Sequence, residues 1–354
     1  MNLYVHFPFC RSKCAYCALH SRAGASAAAR SAYSARIARE IDALDVRPGP
    51  PHTVYFGGGS PALCPLAPIL KSLRTRGLLA DDTECTVELH PLDVTHETIS
   101  DLRSGGVNRV SLGVQTFRDD TLAFLNRRHT AADARAAIAL LKSSFPSVGI
   151  DLIVGLMSPP DLQSMAETLP YLSHVSVYTL IREPKTRLNL DIDRGRTSVP
   201  GDEETLSEFA SVRELLLSAG FRRYEIANFS RPGFECRHNF AVWRGEDYVG
   251  LGDGAHGRIG TTRTKGVAES YETETLSPEE DALERAIFSL RTSDGLSLPR
   301  VASAWPILAP RMEPWARALD FHASKGLLSK DGSVYRLTPR GAEVCDSILP
   351  DLLI

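Results

Sequence analysis

The chain has 354 residues, 43% of them hydrophobic, and a formal net charge of −3. This charge argues against a nucleic-acid-binding surface, and no stretch reaches the roughly 18 apolar residues of a membrane-spanning helix. The first residues lack a basic stretch followed by an apolar one, so the sequence predicts no secretory signal. Seven cysteines, an odd number with three in one cluster, favour a reducing cytoplasm over a disulfide-linked secreted protein.

Strand-like and helix-like patterns alternate along the first half of the chain. Residues 3–7 alternate apolar and polar side chains before Pro8, as a strand leading into a loop does. Apolar residues at helical spacing follow at Tyr33, Ile37 and Ile41. Six strand–helix units predict an α/β fold, a parallel sheet with helices outside that curls into an incomplete (β/α)6 TIM-like barrel. The other predicted strands cover residues 53–59, 84–90, 109–115, 149–156 and 174–180, and helices are predicted over 66–76, 96–103 and 119–143.

The pattern changes after Pro184. A long amphipathic helix is predicted over 203–219 and ends at Gly220, a residue type that favours helix termination. Residues 222–229 have the composition of a further strand, and the glycine-rich region over 247–260 has no predicted element. The second half of the chain therefore does not continue the strand–helix alternation.

The carboxyl-terminal region is predicted to form a smaller lobe. Helices are predicted over 282–291 and 312–323, and an Asp-Gly turn follows them before a terminal helix that starts at Thr338. This order is typical of a winged-helix-like fold, for which the negative net charge favours a packing role over DNA binding. We predict two domains, a barrel core with its extension over 1–230 and a carboxyl-terminal region over 231–354.

The most informative feature is the spacing C-x3-C-x2-C formed by Cys10, Cys14 and Cys17. Cysteine thiolates bind iron–sulfur clusters, and a 4Fe–4S cube commonly takes four of them. Three thiolates leave one iron without a protein ligand, and an open metal position is where a small molecule can bind. Zinc stays an alternative, because His6 and His20 are available as a fourth ligand. The other cysteines are scattered and interpreted as buried apolar residues, namely Cys64, Cys85, Cys236 and Cys345.

Polar residues follow the predicted strands at the ends where barrel chemistry takes place. In parallel barrels, the carboxyl ends of the strands carry the reactive groups. Here these ends carry the cysteine loop, residues 57–60, Glu88, Gln115 and Asp151. The sequence therefore predicts one polar site at this end of the barrel.

A wider set of motifs covers nearly the whole chain: YVHFPFCRSKCAYC, YFGGGSPALC, VELHP, GVNRVSLGVQTF, IDLIVGL and YEIANFSRPGFECRHNFAVW. With these motifs the chain resembles the radical S-adenosylmethionine (SAM) family. Within that family it resembles the branch of oxygen-independent coproporphyrinogen III oxidases and HemW-type heme chaperones. The resemblance implies a barrel of the radical SAM type and a 4Fe–4S cluster on the three cysteines. It also implies that SAM binds the fourth iron and is split to a 5′-deoxyadenosyl radical.

The resemblance further implies which residues bind SAM. The stretch from Gly58 to Ser60 corresponds to a G-G-T motif that lets the methionine amino group approach the backbone, where a side chain would obstruct it. Arg127 is expected to pair with the SAM carboxylate. The complete set is Tyr4, Gly58, Gly59, Ser60, Glu88, Gln115, Arg127 and Asp151.

Leu19 favours the chaperone branch over the oxidase branch. The resembling oxidases carry a further cysteine at this position and a long amino-terminal arm, and this chain shows neither. The chaperone pattern H-N-x-x-[YF]-W is matched by HNFAVW, residues 238–243, with Val242 in place of the aromatic residue. The resemblance thus implies a protein that binds heme and delivers it to acceptor haemoproteins. A radical enzyme that decarboxylates porphyrinogen propionates, or another radical SAM porphyrin enzyme, is the alternative.

His238 of the HNFAVW motif is predicted to bind heme, because neutral imidazole is a common iron ligand. Trp243 is expected to pack on the porphyrin face, and Arg237 and Arg244 to pair with its propionates. His256, in the segment GDGAHG, is a second candidate for contact with heme or SAM.

The remaining expectations also follow from the resemblance. The expected partners are heme and acceptor haemoproteins, membrane-associated respiratory proteins among them, and no nucleic acid. A cytoplasmic protein is expected, and peripheral membrane association and a homodimer are both compatible with the sequence. The loop GLMSPPD, residues 155–161, departs from the G-L-P-G-Q of the family, so no role is predicted for it.

Overall fold

The computed structural model describes residues 1–45 and 52–353, and its central feature is one large sheet. Six parallel strands lie side by side in chain order, and each is followed by at least one helix. The strands are β1 (Asn2–Phe7), β2 (Thr53–Gly58), β3 (Glu84–Leu89), β4 (Arg109–Gln115), β5 (Ser147–Val154) and β6 (His174–Thr179). The helices are α1 (Ala27–Ala43), α2 (Ala67–Thr75), α3 (His96–Ser104), α4 (Asp119–Phe124), α5 (Ala131–Lys142), α6 (Leu162–Thr168), α7 (Arg187–Asp193) and α8 (Asp202–Ser218).

The predicted incomplete parallel barrel is confirmed, and the burial of its strands explains it. In β3, Cys85 and Val87 on one face and Thr86 on the other are all inaccessible to solvent. Burial on both faces is typical of a parallel strand that helices cover on one side while side chains fill the barrel on the other. Helix α1 packs on the sheet through Tyr33 and Ile37, which are buried as their helical spacing predicts.

The strand predicted over 222–229 is interrupted by a turn. Two short strands, β7 (Arg222–Arg223) and β8 (Asn228–Ser230), pair antiparallel with each other, and β8 also pairs antiparallel with β6. The Arg223 guanidinium donates hydrogen bonds to the carbonyl oxygen atoms of Glu225 and Ile226 and so holds the turn. A side chain that binds the backbone of its own turn leaves no trace in an alternating pattern, which is why the sequence predicted one strand.

The glycine-rich region over 247–260 contains two strands that the sequence did not predict. After the short helix α9 (Arg237–Trp243), the chain forms β9 (Tyr248–Leu251), β10 (His256–Ile259), β11 (Thr262–Val267) and β12 (Ser270–Thr275). Strand β9 pairs in parallel with the free edge of β1, and the next three strands are antiparallel. Glycine is depleted in strands, but a Cβ atom on Gly250 would lie 2.0 Å from the carbonyl oxygen of His256. Close approach of the two backbones therefore requires glycine here.

The carboxyl-terminal lobe has its own hydrophobic cluster around Trp315, Leu319 and Tyr335. Its first helix begins with a capping box between Ser277 and Glu280. Its elements are α10 (Pro278–Ser289), β13 (Leu296–Ser297), α11 (Leu298–Ala304), α12 (Met312–Ser324), β14 (Leu328–Asp331), β15 (Val334–Leu337), α13 (Pro339–Glu343) and α14 (Cys345–Ile348). The three strands form a separate sheet in the order β13–β15–β14, and this arrangement agrees with the predicted winged-helix-like lobe.

Residues beyond 230 contribute both to the barrel sheet, through β9 to β12, and to the separate lobe. The domain boundary between residues 230 and 231 stays a prediction. Within the two described ranges, no helix combines the length and the apolar character needed to cross a membrane.

Candidate functional site

A cavity of about 770 Å³ opens at the carboxyl ends of the barrel strands. Its size lies within the range of small-molecule sites. It is lined by the three clustered cysteines and by seven of the residues predicted to bind SAM, namely Gly58, Gly59, Ser60, Glu88, Gln115, Arg127 and Asp151. The structure therefore brings the cysteine loop and most of the predicted SAM residues together at one end of the barrel.

Neighbouring segments hold the backbone of the cysteine loop. Residues 9–10, just after β1, pair in parallel with residues 22–23 and so close the loop at its base. In the middle of the loop, the Ala15 N–H donates to the carbonyl oxygen of Leu125, and the Ala15 carbonyl oxygen accepts from the N–H of Leu188, each at 2.9 Å. The backbone is thus fixed from both sides, while the three cysteines form no disulfide and are partly exposed.

The donor set fits a cluster better than a single zinc ion. Both ring nitrogen atoms of His6 are engaged, Nδ1 with the Tyr4 hydroxyl at 3.0 Å and Nε2 with the carbonyl oxygen of His20 at 2.8 Å. His6 is therefore not free to act as a fourth zinc ligand. Among the described residues, no three or more His, Cys, Asp or Glu side chains are arranged around a common metal position. Thiolates that bind a cube attach to separate iron atoms and do not need to converge on one point.

The glycine loop after β2 lies directly against the start of the cysteine loop. Gly58 has a φ of +104°, and a Cβ atom there would lie 2.5 Å from the ring of His6. A Cβ atom on Gly59 would lie 2.4 Å from the carbonyl oxygen of Phe9, while the Gly59 N–H donates to the Phe7 carbonyl oxygen at 2.7 Å. Glycine is therefore required by the packing of these two loops, in addition to any contact with a ligand.

Glu88 lies at the base of the cavity. Its carboxylate accepts hydrogen bonds from the Tyr55 hydroxyl at 2.8 Å and from the Gly58 N–H at 3.0 Å. Burial and the negative charge of Asp151 outweigh these two bonds and raise the pKa of Glu88 to about 7. Glu88 and Asp151, two of the carboxyl groups that line the cavity, thus repel each other when both are ionised. The Asp151 carboxylate also accepts a hydrogen bond from Ser111 at 3.0 Å.

Arg127 is one of three arginines that line the cavity, with Arg11 and Arg128, and its charge acts on the Asp151 carboxyl group. Its Nη1 lies 3.6 Å from the Cys14 sulfur, its Nη2 donates to the Gly113 carbonyl oxygen, and its Nε has no partner. Within the described part of the chain Arg127 forms no ion pair, so its charge is available to an anionic ligand. Gln115, at the end of β4, has a φ of +70°, a left-handed conformation that is rare for a residue with a side chain.

Tyr16, Tyr178 and Ile181 are among the cavity-lining residues that sequence reasoning missed. Tyr16 lies inside the C-x3-C-x2-C motif, and Tyr178 lies near the end of β6, so the rule that located Glu88 also points to Tyr178. Ile181 follows β6 and is 68% exposed, and no sequence pattern distinguishes it from other loop residues. Leu19, which replaces the oxidase cysteine, is 56% exposed at the mouth of the same cavity.

Tyr4 and His238 lie in a layer below the cavity and do not line it. The ring of His238 stacks on Tyr4 with 6.2 Å between centroids and lies 5.1 Å from the ring of Tyr55. Its Nδ1 lies 2.8 Å from the hydroxyl oxygen of Thr53. His238 is 5% exposed, and burial lowers its pKa to about 4, so the ring is neutral at pH 7.

Helix α9, which carries His238, closes the amino-terminal end of the barrel. Glu84, the first residue of β3, accepts hydrogen bonds from the N–H groups of Arg237 and His238, each at 3.0 Å. The other groups expected to contact porphyrin already have partners. The Arg244 guanidinium pairs with Asp294 at 2.7 Å, and Trp243 makes an edge contact with Phe288. In this conformation, the HNFAVW motif forms part of the barrel floor.

Comparisons with known proteins agree with the site. Residues 4–168 match the radical SAM superfamily, and residues 276–344 match the HemN C-terminal domain. A protein named heme chaperone HemW from Mycobacterium tuberculosis is 33% identical, covering 99% of this chain and 94% of that protein. The protein of the same name from Bacillus subtilis is 31% identical and covers 96% of both chains.

Among solved structures, coproporphyrinogen III oxidase (HemN) from Escherichia coli, described as a radical SAM enzyme, matches with a TM-score of 0.81. The match covers 99% of this chain and 89% of that chain at 21% identity, so it shows a shared fold. The cysteine loop, the barrel and the lobe all lie within the regions matched. The chain therefore belongs to the radical SAM superfamily and, within it, to the HemW family.

Proposed function

We propose that the protein binds heme and delivers it to acceptor haemoproteins, and that Cys10, Cys14 and Cys17 hold a 4Fe–4S cluster next to bound SAM. Membership in the radical SAM superfamily implies both the cluster and SAM. The observation that carries the heme proposal is the similarity to proteins named heme chaperone HemW over 99% of the chain. This similarity includes α9, strands β9 to β12 and the lobe, and not only the barrel.

The cavity supports SAM binding through its distribution of charge. When bound, the cluster supplies an iron atom with an open position and the electron that SAM cleavage requires. Arg127 is proposed to bind the SAM carboxylate, because its guanidinium lies beside Cys14 and has no ion pair among the described residues. Glu88 and Asp151 place negative charge in the same cavity, which favours a ligand with a positive sulfonium group.

The other predicted SAM residues are proposed to act at shorter range. Gly58 and Gly59 bring backbone close to the cavity, and Ser60 and Gln115 supply polar side chains at its wall. Tyr4 lies beneath the cavity, where its hydroxyl binds His6. Its direct contact with SAM stays a prediction.

Leu19 supports the chaperone over the oxidase. The side chain at this position is 56% exposed at the cavity mouth, where the resembling oxidases carry a cysteine. An aliphatic side chain cannot exchange a proton or act as a nucleophile. The fold similarity to HemN does not favour the oxidase, because it is a similarity of fold alone at 21% identity.

One anaerobic experiment tests the proposed function. Protein with a reconstituted cluster is titrated with hemin, incubated with apomyoglobin as a probe acceptor, and assayed separately with coproporphyrinogen III and SAM. We expect a Soret band on titration, its transfer to apomyoglobin, and no protoporphyrinogen. Hemin with apomyoglobin but without the protein is the control for spontaneous transfer. Multiple-turnover formation of protoporphyrinogen would replace the chaperone with the oxidase.

The partners and location follow from this proposal. It stays a prediction that the acceptors are haemoproteins, including membrane-associated ones. A homodimer and a cytoplasmic location with peripheral membrane association also stay predictions.

The prediction that His238 binds heme also stays untested. Its ring is enclosed by Tyr4, Tyr55 and Thr53, so contact with heme requires α9 to move away from the barrel.

A further inference from the structure

The turn that follows β3 forms part of the wall of the cavity at the cysteine loop. It begins at His90, which lines the cavity, and continues as the short 3-10 turn Pro91–Asp93. The Asp93 N–H donates to the His90 carbonyl oxygen at 2.8 Å, and the proline ring restricts φ at the first position of the turn. The family resemblance assigns a role to Glu88 but none to His90, two residues later.

An ion pair holds this turn against the cysteine loop. Arg11, the residue after Cys10, donates from Nε to an Asp93 carboxylate oxygen at 2.6 Å, and its Nη2 lies 2.5 Å from the same oxygen. The Asp93 side chain is buried, so salt and water screen this pair less than a pair on the open surface. The backbone of His90 is therefore fixed relative to the cysteines that are proposed to hold the cluster.

The ring of His90 is held as well as its backbone. Its Nδ1 accepts a hydrogen bond from the Leu92 N–H at 3.2 Å. The ring of His129 packs edge-on against it, with 5.0 Å between the centroids. His129 is itself buried, and its Nε2 donates to the Val114 carbonyl oxygen at 3.1 Å. Neighbouring groups thus set the orientation of the His90 ring before any ligand binds.

The second ring nitrogen of His90 is a hydrogen-bond donor. Burial and the positive charge of Arg127 lower the pKa of His90 to about 2, so the ring is neutral at pH 7. In a neutral ring whose Nδ1 accepts, the hydrogen atom lies on Nε2. Among the described residues, this Nε2 has no hydrogen-bond partner, and the side chain is partly exposed in the cavity wall.

His90 and Arg127 share one part of the cavity. The charge of Arg127 acts on the rings of both His90 and His129, and Arg127 also lines the cavity. A carboxylate has two oxygen atoms and about four acceptor positions, so a guanidinium and a neutral N–H can bind it together. Because the ring is neutral, it adds a donor without a second positive charge beside Arg127.

We propose that His90 is a further SAM-binding residue, whose Nε2–H donates to the same carboxylate group of SAM that Arg127 binds. The inference rests on the proposed SAM site and adds a residue outside the set predicted from the sequence. Arg11 and Asp93 do not contact SAM in this proposal. They are positioning residues, which hold the turn that presents His90.

The test is calorimetry of cluster-containing protein with two side chains of similar size at position 90. His90→Leu removes the donor and should weaken SAM binding about tenfold, as expected for a lost hydrogen bond to a charged group. His90→Gln keeps an N–H at a similar reach and should recover most of that loss. Both variants should retain the cluster absorbance, and His96→Ala, at an exposed histidine of α3, should bind SAM like wild type.

A second titration with 5′-methylthioadenosine separates binding from structure. This compound lacks the carboxylate, so His90→Leu should bind it with wild-type affinity. Wild-type SAM affinity in His90→Leu, equal losses in the two variants, or an equal loss for both ligands would overturn the role of His90 while the SAM site stands. Cluster-containing wild-type protein that binds no SAM would overturn the SAM site itself.

Discussion

The two ends of the barrel differ in how they use the same residue type on the same strand. At the amino end of β3, Glu84 accepts hydrogen bonds from the N–H groups of Arg237 and His238 and fixes α9 as a floor. At the carboxyl end of β3, Glu88 faces Asp151 in an open cavity, where its pKa is raised to about 7. Glu84 therefore completes a closed, hydrogen-bonded structure. Glu88, in contrast, is an ionisable group in the wall of a ligand cavity. The floor is thus built for stability and the cavity for binding.

This difference predicts which property each substitution changes. A buried polar group that loses its partner costs folding free energy, because the remaining group stays desolvated. A polar group that lines the cavity and contacts the ligand, as proposed for Arg127, should cost mainly affinity when it is removed. Substitutions at the cysteine loop should therefore change cofactor content, and substitutions at the floor should change the free energy of unfolding.

The largest effect is expected at the cysteine loop. Cys14→Ala should abolish the charge-transfer absorbance of anaerobically reconstituted protein, because two thiolates are too few to hold the cube. The measurement is the absorbance spectrum together with iron and sulfide content. Cys64→Ala, at a buried cysteine outside the loop, is the matched control and should retain the cluster. Tightly bound zinc without iron in the wild-type protein would contradict the cluster.

The next largest effect is expected at the floor. His238→Ala removes a ring that is 5% exposed and one of two hydrogen bonds of the Thr53 hydroxyl, which keeps its bond to Asn2. The free energy of unfolding should fall by about 2–4 kcal/mol, as for other buried side chains truncated to alanine. Urea unfolding measures it, and His96→Ala, an exposed histidine, should stay within about 0.5 kcal/mol of wild type. If the His238→Ala protein were as stable as that control, His238 would not contribute to the stability of the barrel through α9.

The same two ends show how far the sequence can predict this structure. Glu88 and Asp151 come from apolar strands in a regular alternation, so the rule for parallel barrels predicts that their side chains meet. The burial of His238 depends on Glu84 and Thr53, which lie 154 and 185 residues earlier. No local pattern encodes contacts of that separation, so the motif predicts the family but not the exposure of its histidine.

The sequence did not predict strands β9 and β10 for a related reason. Glycine lowers the predicted strand tendency of residues 247–260, although Gly250 is the residue that permits β9 and β10 to approach. Strand propensity describes the average behaviour of a residue type. At Gly250, the close backbone contact with the neighbouring strand determines the conformation instead. The pairing of β9 and β10 therefore became visible only in the structure.

A smaller effect is expected at Arg127, on the cavity side of the comparison. Arg127→Ala should weaken SAM binding about tenfold, because a charge-assisted contact contributes roughly 1.5–3 kcal/mol. Calorimetry of cluster-containing protein measures the affinity, and Arg127→Lys should recover part of it, since lysine keeps the charge but not the planar donor pair. Arg103→Ala, at an exposed arginine of α3, is the control. Unchanged SAM affinity in Arg127→Ala would place the carboxylate elsewhere.

The smallest effect concerns Glu88 and depends on pH. The pKa of Glu88 is about 7 in the folded chain and 4.5 as its ordinary value. Between these two values the folded protein keeps a proton that the unfolded chain releases. Unfolding therefore liberates a proton, and the contribution of Glu88 to stability falls as the pH rises through this window. Below about pH 4.5 both states are protonated, and above about pH 7 the full cost of the buried carboxylate is present.

Glu88→Gln keeps an oxygen that can accept from Tyr55 and Gly58 but cannot ionise. Relative to wild type, the variant should gain about 1–3 kcal/mol in free energy of unfolding between pH 5 and pH 8. Urea unfolding of SAM-free protein at several pH values measures the difference, and Glu97→Gln, at an exposed position of α3, should show no such gain. Parallel curves for Glu88→Gln and wild type would mean that the carboxyl group is hydrated like a surface residue. The pKa of Glu88 would then lie near its ordinary value, and the contrast with Glu84 would lose its physical basis.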